Sequence, residues 1–188
     1  MVYDIRGVVA EKRYLDAITA GDARLKIVDL DHVPFVLLPL TEEATSVCLE
    51  RWAVNFVDED MYDLLDPAIV VRLMECMSDT APDAPIAFVE AHWTGGRGVG
   101  FGLVVGLGTP RIFDRGDDSW PDTNISMALK AIGVPERLDL RMDAFSVAGL
   151  GWKRGTERWL LPDEPWEQRH AVLRPSRPAR WWWGWKLF

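Results

Sequence analysis

Residues 85–113 read PIAFVEAHWTGGRGVGFGLVVGLGTPRIF, and this stretch decides the fold. The run 86–92 predicts a strand, the Thr-Gly-Gly-Arg-Gly run 94–98 predicts a turn, and 99–107 predicts a returning strand, so a hairpin is expected. The two faces of the first strand are expected to separate Ile86, Phe88 and Glu90 from Ala87, Val89 and Ala91. Glycines within the second strand indicate a bulge or the close approach of another backbone.

Helices and further strands are predicted on both sides of this hairpin. Thr41 and Pro67 mark two helix starts, because threonine is a favoured N-cap and proline is favoured at the first helical position. The pattern predicts strands at 2–10, at 25–39 with an interruption at Pro34, and at 111–113, and helices at 11–22, 41–52, 67–77 and 121–133. The predicted fold class is α+β, a single domain with a mostly antiparallel sheet flanked by helices.

Length and composition are those of one globular domain. A chain of 188 residues, 48% of them hydrophobic, buries enough surface to fold without a disulfide or a metal. Cys48 and Cys76 have apolar neighbours and no CxxC spacing, so both are predicted to be buried thiols. We find neither a signal-like N-terminal segment nor an apolar run of about eighteen residues, which predicts a cytoplasmic protein. The domain is predicted to span 1–162, followed by an extended basic, tryptophan-rich strap at 163–188.

Charge is distributed unevenly along the chain. Residues 1–150 hold 13 Lys/Arg and 25 Asp/Glu, a net charge of −12, whereas residues 151–188 hold 8 and 4, a net charge of +4. An acidic body repels a phosphate backbone, so nucleic acid is not predicted as its partner. The charge is compatible with a basic protein partner, and also with an acidic surface that only maintains solubility.

The glycine-rich hairpin does not fit a phosphate-binding loop. A Rossmann fingerprint beginning at Gly96 or Gly98 needs glycine where Phe101 or Leu103 stands, and no Gly-Lys-Ser/Thr tripeptide occurs. A strand follows the turn, so no helix N-terminus is expected to meet it and supply donors. No cofactor is therefore predicted.

Residues suited to metal or nucleophilic chemistry are sparse. His32, His92 and His170 lie far apart, and no HExxH, His/Cys cluster, EF-hand loop or G-x-S-x-G elbow occurs. Neither a metal site nor a catalytic set is predicted. Glu90 and His92 share a strand face, and they are either side chains that face solvent or a partner or a pair for acid–base chemistry or small-ligand binding.

The strongest electrostatic feature is an acidic run between the second and third predicted helices. Five carboxylates fall within nine residues without an intervening basic residue, at Asp58, Glu59, Asp60, Asp63 and Asp66. Such a run is either a solvated connection or a docking surface for a basic protein, where the charges raise the association rate.

The C-terminal strap combines tryptophan with basic residues. Residues 168–188 contain five basic residues and no acidic one, together with Trp181, Trp182, Trp183 and Trp185. The strap is expected to pack on the acidic body or to form a partner or oligomer interface, since Trp and Arg dominate binding hot spots. Tryptophan and arginine also favour membrane headgroups, but the acidic body argues against membrane contact.

The closing segment 142–159 reads MDAFSVAGLGWKRGTERW. Its glycines at 149 and 151 are expected to form a tight loop, and Arg154 and Glu157 can form a local ion pair. Thr156 is predicted to cap a short turn that docks Trp159 into the core.

The segments FVLLPLTEE, FVEAHWTGGRGVGFGLVVG, ISMALKAIGV and DAFSVAGLGWKRGTERW occur in this order within about 35–160, and this order resembles a family of small acidic bacterial proteins that look like immunity proteins of toxin–immunity systems. In that family a strand ending in an acidic residue leads to an aromatic-Gly-Gly-x-Gly turn, then to a short helix and the closing segment. The matching positions are Glu90, Gly95, Gly96, Gly98, Asp143, Phe145, Gly149, Gly151, Arg154, Thr156, Glu157 and Trp159. Val99 departs from the family, since relatives commonly carry a polar residue there. The resemblance supplies no catalytic residue and implies a binding function.

The predicted function is that of a non-enzymatic protein-binding protein, an immunity protein that neutralises a toxin by occluding its basic active-site surface. The predicted partner is a basic toxin domain, and the predicted contact residues are the acidic run, Glu90 and the four tryptophans of the strap. One alternative is a small-ligand-binding protein or enzyme that uses Glu90 and His92. The other is a structural or assembly protein that uses the strap, and the oligomeric state is left open.

Overall fold

The computed structural model describes residues 2–30, 33–54, 66–94, 97–114, 123–150, 153 and 155–161. Its elements in chain order are β1 Val2–Glu11, α1 Lys12–Thr19, β2 Val28–Asp29, β3 Phe35–Pro39, α2 Glu42–Arg51, α3 Pro67–Thr80, β4 Ile86–Thr94, β5 Arg97–Val105, β6 Arg111–Phe113, α4 Asn124–Ala131 and α5 Ala144–Val147. Two short 3₁₀ helices, Leu138–Leu140 and Thr156–Leu160, complete the described chain.

The strands form one antiparallel sheet in the order β2-β3-β1-β4-β5-β6. The predicted hairpin is confirmed as β4–β5, whose pairing runs from Ile86 opposite Val105 to Thr94 opposite Arg97. β1 lies between β3 and β4, so the first strand of the chain occupies the centre of the sheet. The predicted α+β class, with a largely antiparallel sheet flanked by helices, is confirmed.

Helices cover both faces of the sheet. α1, α2 and α3 pack on the face that carries Val8, Leu38, Phe88 and Leu103. α4, α5 and the 3₁₀ helix Thr156–Leu160 pack on the opposite face, against Ile5, Val9, Leu37, Val89 and Val104. The central strands are therefore apolar on both sides, as strands covered on both faces must be. The separation of even and odd side chains predicted for β4 is confirmed, because Ile86 and Phe88 lie in the first cluster and Ala87, Val89 and Ala91 in the second.

The predicted helix starts are confirmed by their caps. Thr41 Oγ1 accepts a hydrogen bond from the amide of Ala44 at 3.1 Å, and the Asp66 carboxylate accepts one from the amide of Ala68 at 2.7 Å, immediately before Pro67. These bonds satisfy amides that the first helical turn leaves without a backbone acceptor. α3 continues to Thr80, three residues beyond the predicted end of this helix at 77.

Gly102 confirms the predicted close approach of another backbone to β5. A Cβ atom at this position would lie 2.7 Å from Ala128 Cβ and 2.8 Å from the carbonyl oxygen of Asn124. Contacts shorter than 3.0 Å do not occur at real Cβ atoms, so only glycine lets α4 pack directly on this strand. The Asn124 side chain adds a 2.7 Å hydrogen bond to the carbonyl of Gly100.

The closing segment docks as predicted, with a different role for its threonine. Trp159 is 6% exposed and lies in the same cluster as Ile5. Gly155 precedes the 3₁₀ helix, and Thr156 Oγ1 accepts a hydrogen bond from the amide of Arg6 at 2.9 Å. The hydroxyl therefore satisfies an edge amide of β1 where the pairing with β3 has ended. The predicted Arg154–Glu157 pair involves a residue outside the described ones.

Candidate functional site

The candidate site lies where the sheet narrows to three strands. The pairing of β1 with β3 stops at Gly7 opposite Pro39, but β1 continues beside β4 to Val2 opposite Thr94. β4 in turn pairs with β5 up to the hairpin turn. The three strands β1, β4 and β5 therefore extend beyond the ends of their neighbours β3 and β6.

Strand register gathers ionisable side chains of β1 and β4 on one face of this extension. Arg6 lies opposite Glu90, and Asp4 lies opposite His92. Cross-strand neighbours have Cβ atoms about 5 Å apart, and residues two positions along a strand are about 7 Å apart. Asp4, Arg6, Glu90 and His92 therefore form two adjacent rows, which we call the ionisable face.

Arg6 and Glu90 form a largely buried ion pair within the ionisable face. Arg6 Nε donates to Glu90 Oε1 at 2.5 Å, and the two side chains are 19% and 3% exposed. Phe101, opposite Glu90 on β5, meets Phe88 edge to face with ring centroids 6.0 Å apart. An ion pair in such surroundings holds both side chains in place, because separating two poorly solvated charges is costly.

The second row of the ionisable face is open to solvent. Asp4 and His92 are both exposed. The row continues on β5 with Val99, opposite His92, which is 54% exposed. The face thus combines a fixed, charge-neutral pair with an accessible carboxylate, an accessible imidazole and an accessible apolar side chain.

A further buried polar cluster holds two helices together. Ser126 Oγ donates to Asp143 Oδ2 at 2.7 Å and accepts from the amide of Phe145 at 3.3 Å. Asp143 Oδ1 accepts from the amide of Ser146 at 2.9 Å, which caps α5. Asp143 thus caps α5 with one oxygen and joins α5 to α4 with the other.

Neither cysteine is placed for nucleophilic chemistry. Cys48 on α2 and Cys76 on α3 are free and buried, which confirms the prediction of buried thiols. Burial raises the pKa of the Cys48 thiol to about 12, so the reactive thiolate is scarce near neutral pH.

Among the described residues, no group of three or more His, Cys, Asp or Glu side chains is arranged to hold a metal ion.

Acidic side chains are exposed on both helices that flank the acidic run. Glu42, Glu43 and Glu50 are exposed on α2, and Asp79 is exposed near the end of α3. Asp66 is also exposed while it caps α3.

Many cations in the described part of the chain form ion pairs with nearby carboxylates. These pairs are Lys12–Asp16, Lys12–Asp29, Arg13–Glu11, Arg24–Asp22, Arg72–Glu75, Lys130–Glu136 and Arg137–Asp139.

The predicted contact residues have different outcomes. Asp66 is exposed, whereas Asp58, Glu59, Asp60, Asp63, Trp181, Trp182, Trp183 and Trp185 lie outside the described residues. Glu90 differs from the expectation of a partner-facing side chain, because it is buried against Arg6. Asp4 and Arg6 were missed by sequence reasoning. Their alternation in the run VYDIRG signals that they share a strand face, but only the pairing of β1 with β4 brings them beside Glu90 and His92.

Comparison of the chain with protein-family models, curated proteins and solved structures found no significant match. The resemblance to immunity proteins therefore stays a prediction. No helix within the described ranges is long and apolar enough to cross a membrane.

Proposed function

We propose that this protein is a non-enzymatic binding protein, and specifically an immunity protein that neutralises a basic toxin. The observation that carries the proposal is the concentration of carboxylates in the chain from α2 to the start of α3. Exposed carboxylates lie on both helices, and the chain that joins them contributes five more acidic positions from Asp58 to Asp66. Such a surface attracts a basic partner and raises its association rate.

The mechanism is occlusion of the toxin's substrate-binding surface. A toxin that acts on an anionic substrate carries basic residues where that substrate binds, and an acidic protein competes for the same residues. α2 and α3 are suited to hold such a surface in place, because their inner sides pack into the core through residues that include Val47, Cys48, Leu73, Met74 and Met77. Because the backbone of these helices is already fixed by packing, binding orders only the acidic side chains themselves.

The test combines partner recovery with charge reversal. The tagged full-length chain, expressed in its host, should recover one basic protein in near-equal amount, identified by mass spectrometry. With that protein purified, Asp58→Lys together with Asp60→Lys should reduce the association rate about tenfold or more at low salt. The matched control is Asp114→Lys with Glu157→Lys, which changes the net charge equally at exposed residues after β6 and in the final 3₁₀ helix. Equal effects of the two double variants would show that only net charge matters and would remove the proposed surface.

A second candidate function is small-ligand binding or catalysis at the ionisable face. The observation that favours it is the register that places Asp4 and Arg6 beside Glu90 and His92, since charged and titratable groups converge at many active sites. Native mass spectrometry of the purified chain tests it. A bound small molecule that is lost in His92→Ala but kept in the matched variant Asp114→Ala would support this function, and ligand-free protein in both would oppose it.

A further inference from the structure

We propose that residues 166–174 of the C-terminal strap add a further strand to the sheet, on the edge of β1 that is left open beyond the end of β3. The inference rests on backbone hydrogen bonding and on the path of the chain, and it does not depend on the proposed function. It gives part of the strap a place on the body, among the alternatives of body, partner and oligomer interface.

The open edge of β1 begins at Arg6. Successive residues of a strand point their N–H and C=O groups to opposite sides, so the groups of Arg6, Asp4 and Val2 share one side. The Arg6 carbonyl accepts from the amide of Leu40 at 2.9 Å, and the Arg6 amide donates to Thr156 Oγ1 at 2.9 Å. Both bonds are made on the side of β3, so the backbone groups of Asp4 also point away from β4.

Asp4 is the next hydrogen-bonding position along this edge. The pairing of β1 with β3 covers Gly7 to Glu11, and the chain then enters α2, so no residue of β3 lies opposite Asp4. No residue within the described ranges hydrogen-bonds to the outward amide or carbonyl of Asp4. An unpaired strand edge is a template for another strand, and folded proteins usually pair or cover such an edge.

The chain leaves the described body beside this edge. Thr156, whose hydroxyl binds the Arg6 amide, is the first residue of the last 3₁₀ helix, and Leu161 follows that helix with an exposed fraction of 60%. A 3₁₀ helix rises about 2 Å per residue, so Leu161 lies about 10 Å from Thr156. The four residues 162–165 span up to about 13 Å when extended, which brings residue 166 within reach of the edge.

Residues 166–174 are suited to form the added strand. They read WEQRHAVLR, a run without proline or glycine between Pro165 and Pro175. Either residue type weakens a strand, and proline also removes a donor from the ladder. The other proline-free run of the strap, 179–188, contains Gly184 and lies further along the chain. Its longer link to the edge costs more chain entropy to close, so the nearer run is favoured.

The direction of the added strand follows from its starting point. A strand that starts at the Arg6 end of the edge and runs towards Val2 is antiparallel to β1, which is the direction of β3. Four residues of the run, at about 3.4 Å each, are enough to pass both Asp4 and Val2. The added strand therefore continues the line of β3 and lies beside β1 at the end of the sheet where β1, β4 and β5 extend alone.

Nuclear magnetic resonance of the full-length chain tests the inference at the Asp4 backbone. Pairing predicts nuclear Overhauser contacts between Asp4 and residues 166–174. It also predicts that the Asp4 amide exchanges with solvent at least about a hundredfold more slowly than in an unstructured chain. Rapid exchange, or contacts of Asp4 with another segment in place of this run, would overturn the inference. This measurement needs no substitution.

Proline variants of the full-length chain identify the segment that protects the Asp4 amide. Ala171→Pro with Val172→Pro removes two successive donors, so one of them belongs to the ladder whichever edge of the run faces β1. The Asp4 amide should then exchange at least about tenfold faster. The matched control, Ser176→Pro with Ala179→Pro, adds two prolines outside the run and should change the rate less than about twofold. Equal rates in the two variants would show that the run does not pair with β1.

Discussion

Arg6 and Glu90 stand 84 positions apart in the chain and form a hydrogen-bonded ion pair between adjacent strands of the sheet. Glu90 Oε1 accepts from Arg6 Nε at 2.5 Å, and the Arg6 backbone amide donates to Thr156 Oγ1 at 2.9 Å. Arg6 thus joins β1 to β4 through its side chain and to the closing 3₁₀ helix through its backbone. This arrangement fixes the narrow end of the sheet, where the candidate site lies.

Breaking this ion pair from one side should destabilise the protein. Glu90→Gln should lower the free energy of unfolding by about 2–3 kcal/mol, less than a fully buried pair would lose because Arg6 keeps some contact with solvent. A double-mutant cycle with methionine tests the coupling. The double variant should lose less stability than the sum of the losses for Arg6→Met and Glu90→Met, since it leaves no uncompensated charge. Urea unfolding of the four proteins of this cycle measures the coupling. Additive losses would show that the two charges do not stabilise each other.

A side chain at Gly102 should separate α4 from the sheet. Gly102→Ala places a Cβ 2.7 Å from Ala128 Cβ and 2.8 Å from a backbone oxygen, and the backbone cannot move aside cheaply. The expected loss is about 1–3 kcal/mol of unfolding free energy, as for other overpacked sites. Val99→Ala on the same strand is the control, and it should change stability by less than about 0.5 kcal/mol because Val99 is exposed. A Gly102→Ala protein as stable as the original would contradict the close approach of α4.

Removing Asp143 should loosen the junction of α4 and α5. Asp143→Ala deletes the cap of α5 and leaves Ser126 Oγ without its acceptor, which should cost about 2–4 kcal/mol. Asp143→Asn keeps an oxygen for the cap and should cost less than the alanine change. Thermal unfolding of both variants measures the difference. Equal losses would indicate that the capping bond to Ser146 contributes little.

Stability at acidic pH should depend on Asp22. The hydrogen-bonded guanidinium of Arg24 lowers the pKa of the Asp22 carboxyl to about 2. A lowered pKa in the folded state means that the stabilisation is complete above the ordinary value of about 3.9 and is lost as pH falls towards 2. The stability gap between the original chain and Asp22→Asn, measured by urea unfolding, should therefore shrink between pH 4 and pH 2. A gap that stays constant over this range, as expected of a purely structural effect, would contradict the shift.

The cysteines should resist thiol reagents in the folded protein. Cys48 is fully buried with its pKa raised to about 12, and Cys76 is also buried, so both should react far more slowly with Ellman's reagent than in urea. Cys76→Ser isolates Cys48 and should give the slowest reaction. Rapid labelling of the folded Cys76→Ser protein would show that α2 opens readily and would disagree with the packing of Cys48.

The local features of this chain were readable from sequence because they depend on neighbouring residues. Thr41 and Pro67 marked helix starts, and the glycines of β5 pointed to the close packing found at Gly102. The central position of β1 was not readable, because antiparallel pairing between distant segments leaves no local pattern. The burial of Glu90 followed from that pairing. A carboxylate on a strand can face solvent or be buried, and its cross-strand partner decides which. For Glu90 that partner is Arg6.

The most direct measurement of the central claim is a growth assay in a bacterial host that expresses the recovered basic protein with or without this chain. The account predicts that the basic protein alone stops growth, that co-expression of the original chain restores it, and that the Asp58→Lys, Asp60→Lys variant restores it poorly while the Asp114→Lys, Glu157→Lys control restores it fully. A basic partner that is harmless alone, or a toxic one against which the original chain gives no protection, would contradict the assignment as an immunity protein.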